Sequence, residues 1–226
     1  MEFLFDSANL ADIERYSQCF PITGVTSNPS ILKAEGKIDF FEHMKKVRSL
    51  IGMERTLHIQ VIAEQYQGIL DEAHAILNRV DSEVYIKVPT TEEGLRAMRA
   101  LKSEGVHVTA TAIYSKIQGM MAIAAGADFI APYYNRMENL DIDSRGSIAA
   151  FRQIIDETGA DTKILAASFK NIAQVTAALL AGAHTATVQP ALLHEAFGMA
   201  AIGKAVDDFH ADWVSTQGEI SITQLA

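Results

Sequence analysis

Glu83-Val-Tyr-Ile-Lys-Val-Pro-Thr90 reads as a strand with an amine near its end. Val84, Ile86 and Val88 alternate with Glu83, Tyr85 and Lys87, the two-residue period of a β-strand. Pro89 cannot donate to a ladder and marks the end of the run. Lys87 therefore sits at the C-terminal end of a strand whose other face is wholly apolar. An ammonium in that setting is either paired or has a lowered pKa. A lysine that gives up its proton readily is the usual amine nucleophile toward a carbonyl carbon. The competing reading is a lysine that runs its stem along the strand end and keeps its head in solvent. The surroundings of the stretch favour the first.

Similar apolar or β-branched runs recur at about 2–6, 22–27, 56–62, 106–112, 128–134, 163–168 and 184–189. Between them lie helical patterns at about 9–18, 39–51, 66–79, 92–104, 115–125, 146–157 and 171–181, followed by 190–197 and 199–214. Gly105, Gly126, Gly159 and Gly182 each close a helical pattern just before a strand, the position where a left-handed residue stops a helix. Eight strands alternating with helices imply parallel strands and right-handed crossovers. In 226 residues this suits a closed (β/α)8 barrel of the α/β class with an extra C-terminal helix. A doubly wound open sheet is the alternative, but no Gly-x-Gly-x-x-Gly follows a strand to support it. No linker or low-complexity segment divides the chain, so one domain over 1–226 is expected. The segment 199–226, with Trp213, Ile220 and Ile222, is too apolar for a free tail. It is expected to pack on the barrel or to reach a neighbouring subunit.

Composition narrows the function classes. A net charge of −9 argues against nucleic acid and anionic membranes as partners. No uninterrupted apolar stretch is long enough to span a bilayer, and the N-terminus lacks the basic and apolar regions of a signal peptide. Cys19 is the single cysteine, which fits a reducing cytoplasm. No histidine falls in a His-x-His or His-Glu-x-x-His pattern, so neither a metal nor another cofactor is expected. A Ser-His-Asp mechanism has no Gly-x-Ser-x-Gly elbow to support it.

In such a barrel the active site lies at the C-terminal ends of the strands. Read in order, those ends supply Asp6, Thr26 and Asn28, Gln60, Lys87, Thr109 and Thr111, Tyr133 and Arg136, Ser168 and Lys170, then Thr187 and Gln189. Every strand ends in a group that can hydrogen-bond or ionise. Asp6 can hold the lysine or move protons, or it can cap the helix that starts near Ser7 to Asn9. Thr111 is placed to hold a water that shuttles a proton. Thr109 lies deeper and reads as barrel packing, and His58 as a satisfied interior histidine. Arg136, Ser168 and Lys170 form a phosphate clamp of two cations and a hydroxyl. The helix starting near Asn171 adds its free amides to that clamp. Alternatively, Arg136 pairs on the surface with Glu138 or Asp141.

Four segments also carry a family resemblance: Gly24-Val-Thr-Ser-Asn-Pro-Ser30, Tyr85-Ile-Lys-Val-Pro89, Ala131-Pro-Tyr-Tyr-Asn-Arg136 and Ala166-Ala-Ser-Phe-Lys170. In this order they resemble the signature segments of the small transaldolase and fructose-6-phosphate aldolase family, and the likeness runs from Phe3 to the region of Trp213. It implies a (β/α)8 barrel and class I aldol chemistry without metal. By resemblance Lys87 is the Schiff-base lysine, and Asp6 and Thr111 are active-site positions. Asn28 would bind substrate hydroxyls, while Arg136, Ser168 and Lys170 would bind phosphate. The likeness further implies a homo-oligomer, a pentamer or a decamer of two stacked pentamers, with the C-terminal helix reaching a neighbour.

Within the family, Gln60 and Tyr133 resemble the aldolase branch, because transaldolases carry glutamate and phenylalanine there. Ser27, Tyr134 and Met137-Glu138 depart from the common pattern of threonine, a smaller aliphatic and Ile-Asp. The expectation is a class I aldolase acting on fructose 6-phosphate or a related ketose phosphate, with catalytic Lys87, Asp6, Gln60, Thr111 and Tyr133. Its rivals are a transaldolase, a variant for sulfonated sugars, and a non-catalytic sugar-phosphate-binding protein on the same fold.

Overall fold

The computed structural model describes residues 1–225. Eight parallel strands close into a barrel in chain order. They are β1 (Glu2–Asp6), β2 (Gly24–Thr26), β3 (Thr56–Gln60), β4 (Tyr85–Pro89), β5 (Val108–Ile113), β6 (Phe129–Pro132), β7 (Lys163–Ala166) and β8 (Thr185–Val188). Pairing of Glu2 to Phe5 with Thr185 to Val188 closes the ring. The expected (β/α)8 architecture is thus observed. Strand β1 matches its apolar run, whereas β2, β3, β6, β7 and β8 are shorter than theirs and the runs there continue into loops.

Around the barrel lie α1 (Leu10–Ser17), α2 (Pro29–Ala34), α3 (Phe40–Ile51), α4 (Tyr66–Arg79), α5 (Glu92–Ser103), α6 (Lys116–Ala124), α7 (Tyr134–Asn139), α8 (Ser144–Thr158) and α9 (Ile172–Leu180). Several begin at a side chain that takes an otherwise unpaired amide, Asn9, Asp39, Thr91, Asp143 and Asn171 among them. Gly105, Gly126, Gly159 and Gly182 all adopt positive φ, as their places after helical patterns require. The strand faces that meet the helices are apolar and sealed: Val84, Ile86 and Val88 expose nothing. Inside the barrel, Leu4, Phe129 and Leu165 form a small cluster with Tyr85 against it.

Met1–Pro190 is one compact unit, and a second begins at Ala191. The helix α10 (Pro190–Phe197) starts at this junction, and α11 (Ala200–Gln217) follows it. None of the residues of α11 is buried, and Ile202, Val206 and Phe209 present apolar side chains to solvent. Trp213 donates its indole N–H to the Ile220 carbonyl at 2.8 Å, folding the tail back on the helix end. No helix among the described residues is long and apolar enough to cross a membrane.

Candidate active site

Parallel register brings the first polar layer together. Gln60 pairs with Lys87, Lys87 with Thr109, and Pro89 with Thr111, so β3, β4 and β5 present these side chains side by side. Lys87 is only 3% exposed. Burial pulls its pKa below the ordinary lysine value, and the charge of Asp6 acts against that shift. Burial likewise raises the pKa of Asp6, opposed by Lys87, a hydrogen bond from Thr26 and the charge of Arg136. Desolvation therefore drives both groups toward neutrality, and each charge partly restores the other.

Asp6 does not cap α1. Asn9 does, accepting from the Asp12 amide at 2.9 Å. The Asp6 carboxylate instead accepts from the Thr26 hydroxyl at 2.8 Å. That bond uses Thr26's one hydroxyl proton, so Thr187, 2.6 Å away, must donate to Thr26. Thr187 thereby orients Thr26. Its strand-end position was visible in the sequence, but nothing there distinguished it from the other threonines.

On the other side, the Thr111 and Tyr133 hydroxyls lie 2.9 Å apart. Burial raises the Tyr133 pKa, partly offset by the Thr111 hydrogen bond and Arg136, and keeps the phenol protonated. The Gln60 Oε1 is buried without a protein partner among the described residues, which suits it to accept from a water or a substrate hydroxyl. A register shift interrupts β5 between Ala110 and Ile113, and Ala112 takes a φ of 58°. Ser168 after β7 has a φ of 66°. Left-handed backbone outside glycine is costly and is typically kept at functional sites.

Below this layer His58 is fully buried, with Nδ1 2.8 Å from the Thr109 hydroxyl and Nε2 2.9 Å from that of Thr56. Its ring stacks on Tyr85 at 4.7 Å. Burial first, then Lys87, Arg48 and His107, hold its pKa well below the usual value, so it is neutral. Thr109 is buried with it, and both are packing residues, as their depth implies.

The remaining sequence-predicted residues sit at the rim. Arg136 lies on α7 rather than on a strand end and is not paired with Glu138 or Asp141: its guanidinium donates to the Tyr114 hydroxyl at 3.2 Å. Its Cζ lies 4.7 Å from the centre of the Tyr133 ring. Glu138 accepts from Gln174 at 2.6 Å instead. The Ser168 carbonyl accepts from the Asn135 amide at 3.0 Å, tying the loop after β7 to α7. Lys170 is exposed, and its backbone amide is fixed by Gln174 at 2.8 Å. The Asn28 side-chain oxygen caps α2, accepting from Ser30 and Ile31, so only its NH2 is left to meet a ligand. Tyr114 was missed in the sequence, although it directly follows the last residue of β5.

A cleft of about 790 Å³ opens beside Gln60, lined by Pro29, Val61, Pro89, Thr91 and the acidic Glu64, Glu92 and Glu93. Arg136 lies instead on α7, after β6, and Lys170 in the loop after β7.

Residues 3–223 match the family described as Transaldolase/Fructose-6-phosphate aldolase. The chain belongs to this family. It is also 54% identical over 222 residues, 98% of its own length and all of the relative's, to a probable fructose-6-phosphate aldolase of Streptococcus pneumoniae. Seen as a transaldolase/fructose-6-phosphate aldolase family member, the chain's departures from the common pattern have structural explanations. Tyr134 is 1% exposed and packs at 5.8 Å from Phe169, and Met137 is fully buried. Ser27 is buried and donates to the His58 carbonyl at 3.4 Å.

Proposed function

We propose that this protein is a class I aldolase that cleaves fructose 6-phosphate, or a closely related ketose phosphate, to dihydroxyacetone and glyceraldehyde 3-phosphate. The observation that carries this reading is the buried, pKa-lowered Lys87 at the mouth of the barrel, beside Gln60 and Thr111 in register. The printed name of the pneumococcal relative supports the same substrate.

The Lys87 amine attacks the C2 ketone, and loss of water from the carbinolamine gives an iminium. The iminium draws in the electrons of the C3–C4 bond as Asp6 takes the proton of the C4 hydroxyl. Glyceraldehyde 3-phosphate leaves and an enamine remains. A water held by Gln60, Thr111 and Tyr133 supplies the proton to carbon, and hydrolysis then releases dihydroxyacetone. Thr26 holds Asp6, and the Asn28 NH2 binds a substrate hydroxyl. Arg136, Ser168 and Lys170 bind the phosphate, which the acidic cleft beside Gln60 would repel. A sulfonated sugar would meet the same cations.

Transfer and cleavage share the enamine and differ in what captures it. Incubation with fructose 6-phosphate alone should release dihydroxyacetone and glyceraldehyde 3-phosphate in equal amounts. Release that waits for added erythrose 4-phosphate would make the protein a transaldolase. The reading includes a cytoplasmic location, supported by the lone thiol, Cys19. It also includes a homo-oligomer, pentamer or decamer, supported by the apolar side chains that α11 exposes. Sedimentation at micromolar concentration should show the assembly, and a monomer would contradict it.

A further inference from the structure

The phosphate end and the proton-transfer end of the site share a side chain. Arg136 donates to the Tyr114 hydroxyl at 3.2 Å while its Cζ lies 4.7 Å from the centre of the Tyr133 ring. The two tyrosine rings meet edge to face, centroids 5.6 Å apart at 76°. Tyr133 in turn brings its hydroxyl to 2.9 Å from Thr111. The backbone reinforces the arrangement. Tyr133 directly precedes α7, three residues before Arg136, and its amide donates to the Ile113 carbonyl at 3.1 Å. Tyr114 follows Ile113 directly, just after the left-handed Ala112.

We infer that Tyr114 is a positioning residue that couples the two ends: it seats the Arg136 guanidinium against Tyr133, so an anion held by Arg136 fixes the Tyr133 hydroxyl in its place beside Thr111. Without an anion, the exposed guanidinium is held among the described residues by the Tyr114 hydroxyl and the Tyr133 ring face, both weaker partners than a phosphate. With one, arginine and ring are immobilised together. Binding free energy from the unreacting end of the substrate then serves the chemical step, the general condition under which remote contacts raise kcat and not only affinity. Tyr114 acts through Arg136 and Tyr133 and need not touch the reacting carbons. The inference rests on the reading of Arg136 as the anion's partner.

The test divides the substrate into two pieces. Addition of dihydroxyacetone to unphosphorylated glyceraldehyde is followed with and without inorganic phosphite, and phosphite is titrated separately as an inhibitor of fructose 6-phosphate cleavage. In the wild type, phosphite should compete with fructose 6-phosphate and should raise kcat/KM for glyceraldehyde by about tenfold. In Tyr114→Phe, phosphite should still compete, but its activation should fall below about twofold, and kcat with glyceraldehyde 3-phosphate should drop. Competition without activation in the wild type would overturn the coupling and leave the anion site standing. So would full activation in Tyr114→Phe, or a change confined to KM. Absence of competition would remove Arg136 as the anion's partner, and the coupling with it. Competition without activation in the wild type overturns the coupling even if Tyr114→Phe folds poorly, and Tyr114→His, which keeps a hydrogen-bonding ring at this position, should then restore part of the activation or rule Tyr114 out.

Discussion

The proposed mechanism depends on burial, which pushes Lys87 and Asp6 alike toward their neutral forms. A lysine in water is almost wholly protonated at neutral pH and so a poor nucleophile. Burial lowers the Lys87 pKa, and Asp6 limits how far it falls. Imine formation needs the free amine, so its rate should decline as pH drops through the Lys87 pKa. Asp6→Asn removes the one charge that raises that pKa, and the acid limb of the pH–rate profile should therefore move to lower pH, with kcat reduced by loss of the base. A limb that stays in place or moves upward would separate the two residues. In the proposed mechanism Gln60 and Tyr133 govern the enamine's fate. Glutamate at 60 is a stronger base suited to reversible transfer, and phenylalanine at 133 leaves the water less ordered. Gln60→Glu combined with Tyr133→Phe should raise the ratio of transfer to cleavage by about tenfold, which needs a barrier difference of only ~1.4 kcal/mol. Rates with fructose 6-phosphate, with and without erythrose 4-phosphate, measure that ratio, and an unmoved ratio would refute these roles. Tyr114 was not legible in the sequence because its part depends on Arg136, whose direction is set by α7.

The elements that the sequence misses share a physical cause. α2 is six residues long, too short for an apolar period to emerge, and Asn28-Pro29 looks like a turn. Yet an asparagine cap followed by proline in the first turn is also how a helix begins. α7 is equally short, and Tyr133-Tyr134 after the apolar run looks like more strand, since aromatics favour sheets. Longer helices with capped starts and glycine ends were legible in type and nearly in extent. One such element bears directly on the site. The first turn of α5 packs on the end of the Lys87 strand, where a Cβ at Gly94 would collide with the Pro89 carbonyl oxygen. Gly94→Ala should thus push α5 from β4 and cost about 1–3 kcal/mol. Thermal unfolding should show a midpoint lower by several degrees. An unchanged midpoint would mean that the contact relaxes freely.

At the scale of the molecule, barrel closure converts eight separate strand ends into one site. The polar ends are spread along most of the sequence, from Asp6 to Thr187, and parallel register gathers them at a single mouth. Alternation and spacing disclose that convergence, since they fix which face of each strand points inward. They do not disclose the cleft beside Gln60 with Glu64, Glu92 and Glu93 in its lining, nor the placing of Arg136 on α7, both of which arise from loops and short helices whose paths are set by packing. On the proposed reading, Lys87 takes the ketone and Arg136, Ser168 and Lys170 the phosphate, so the sugar would lie from β4 toward β6 and β7. The central claim is that Lys87 forms the covalent intermediate. Borohydride reduction in the presence of dihydroxyacetone, followed by peptide mass analysis, tests it most directly. The expected result is the reduced three-carbon adduct on the peptide carrying Lys87, and its absence in Lys87→Ala together with turnover. An adduct on another lysine, or undiminished turnover by Lys87→Ala, would contradict the account.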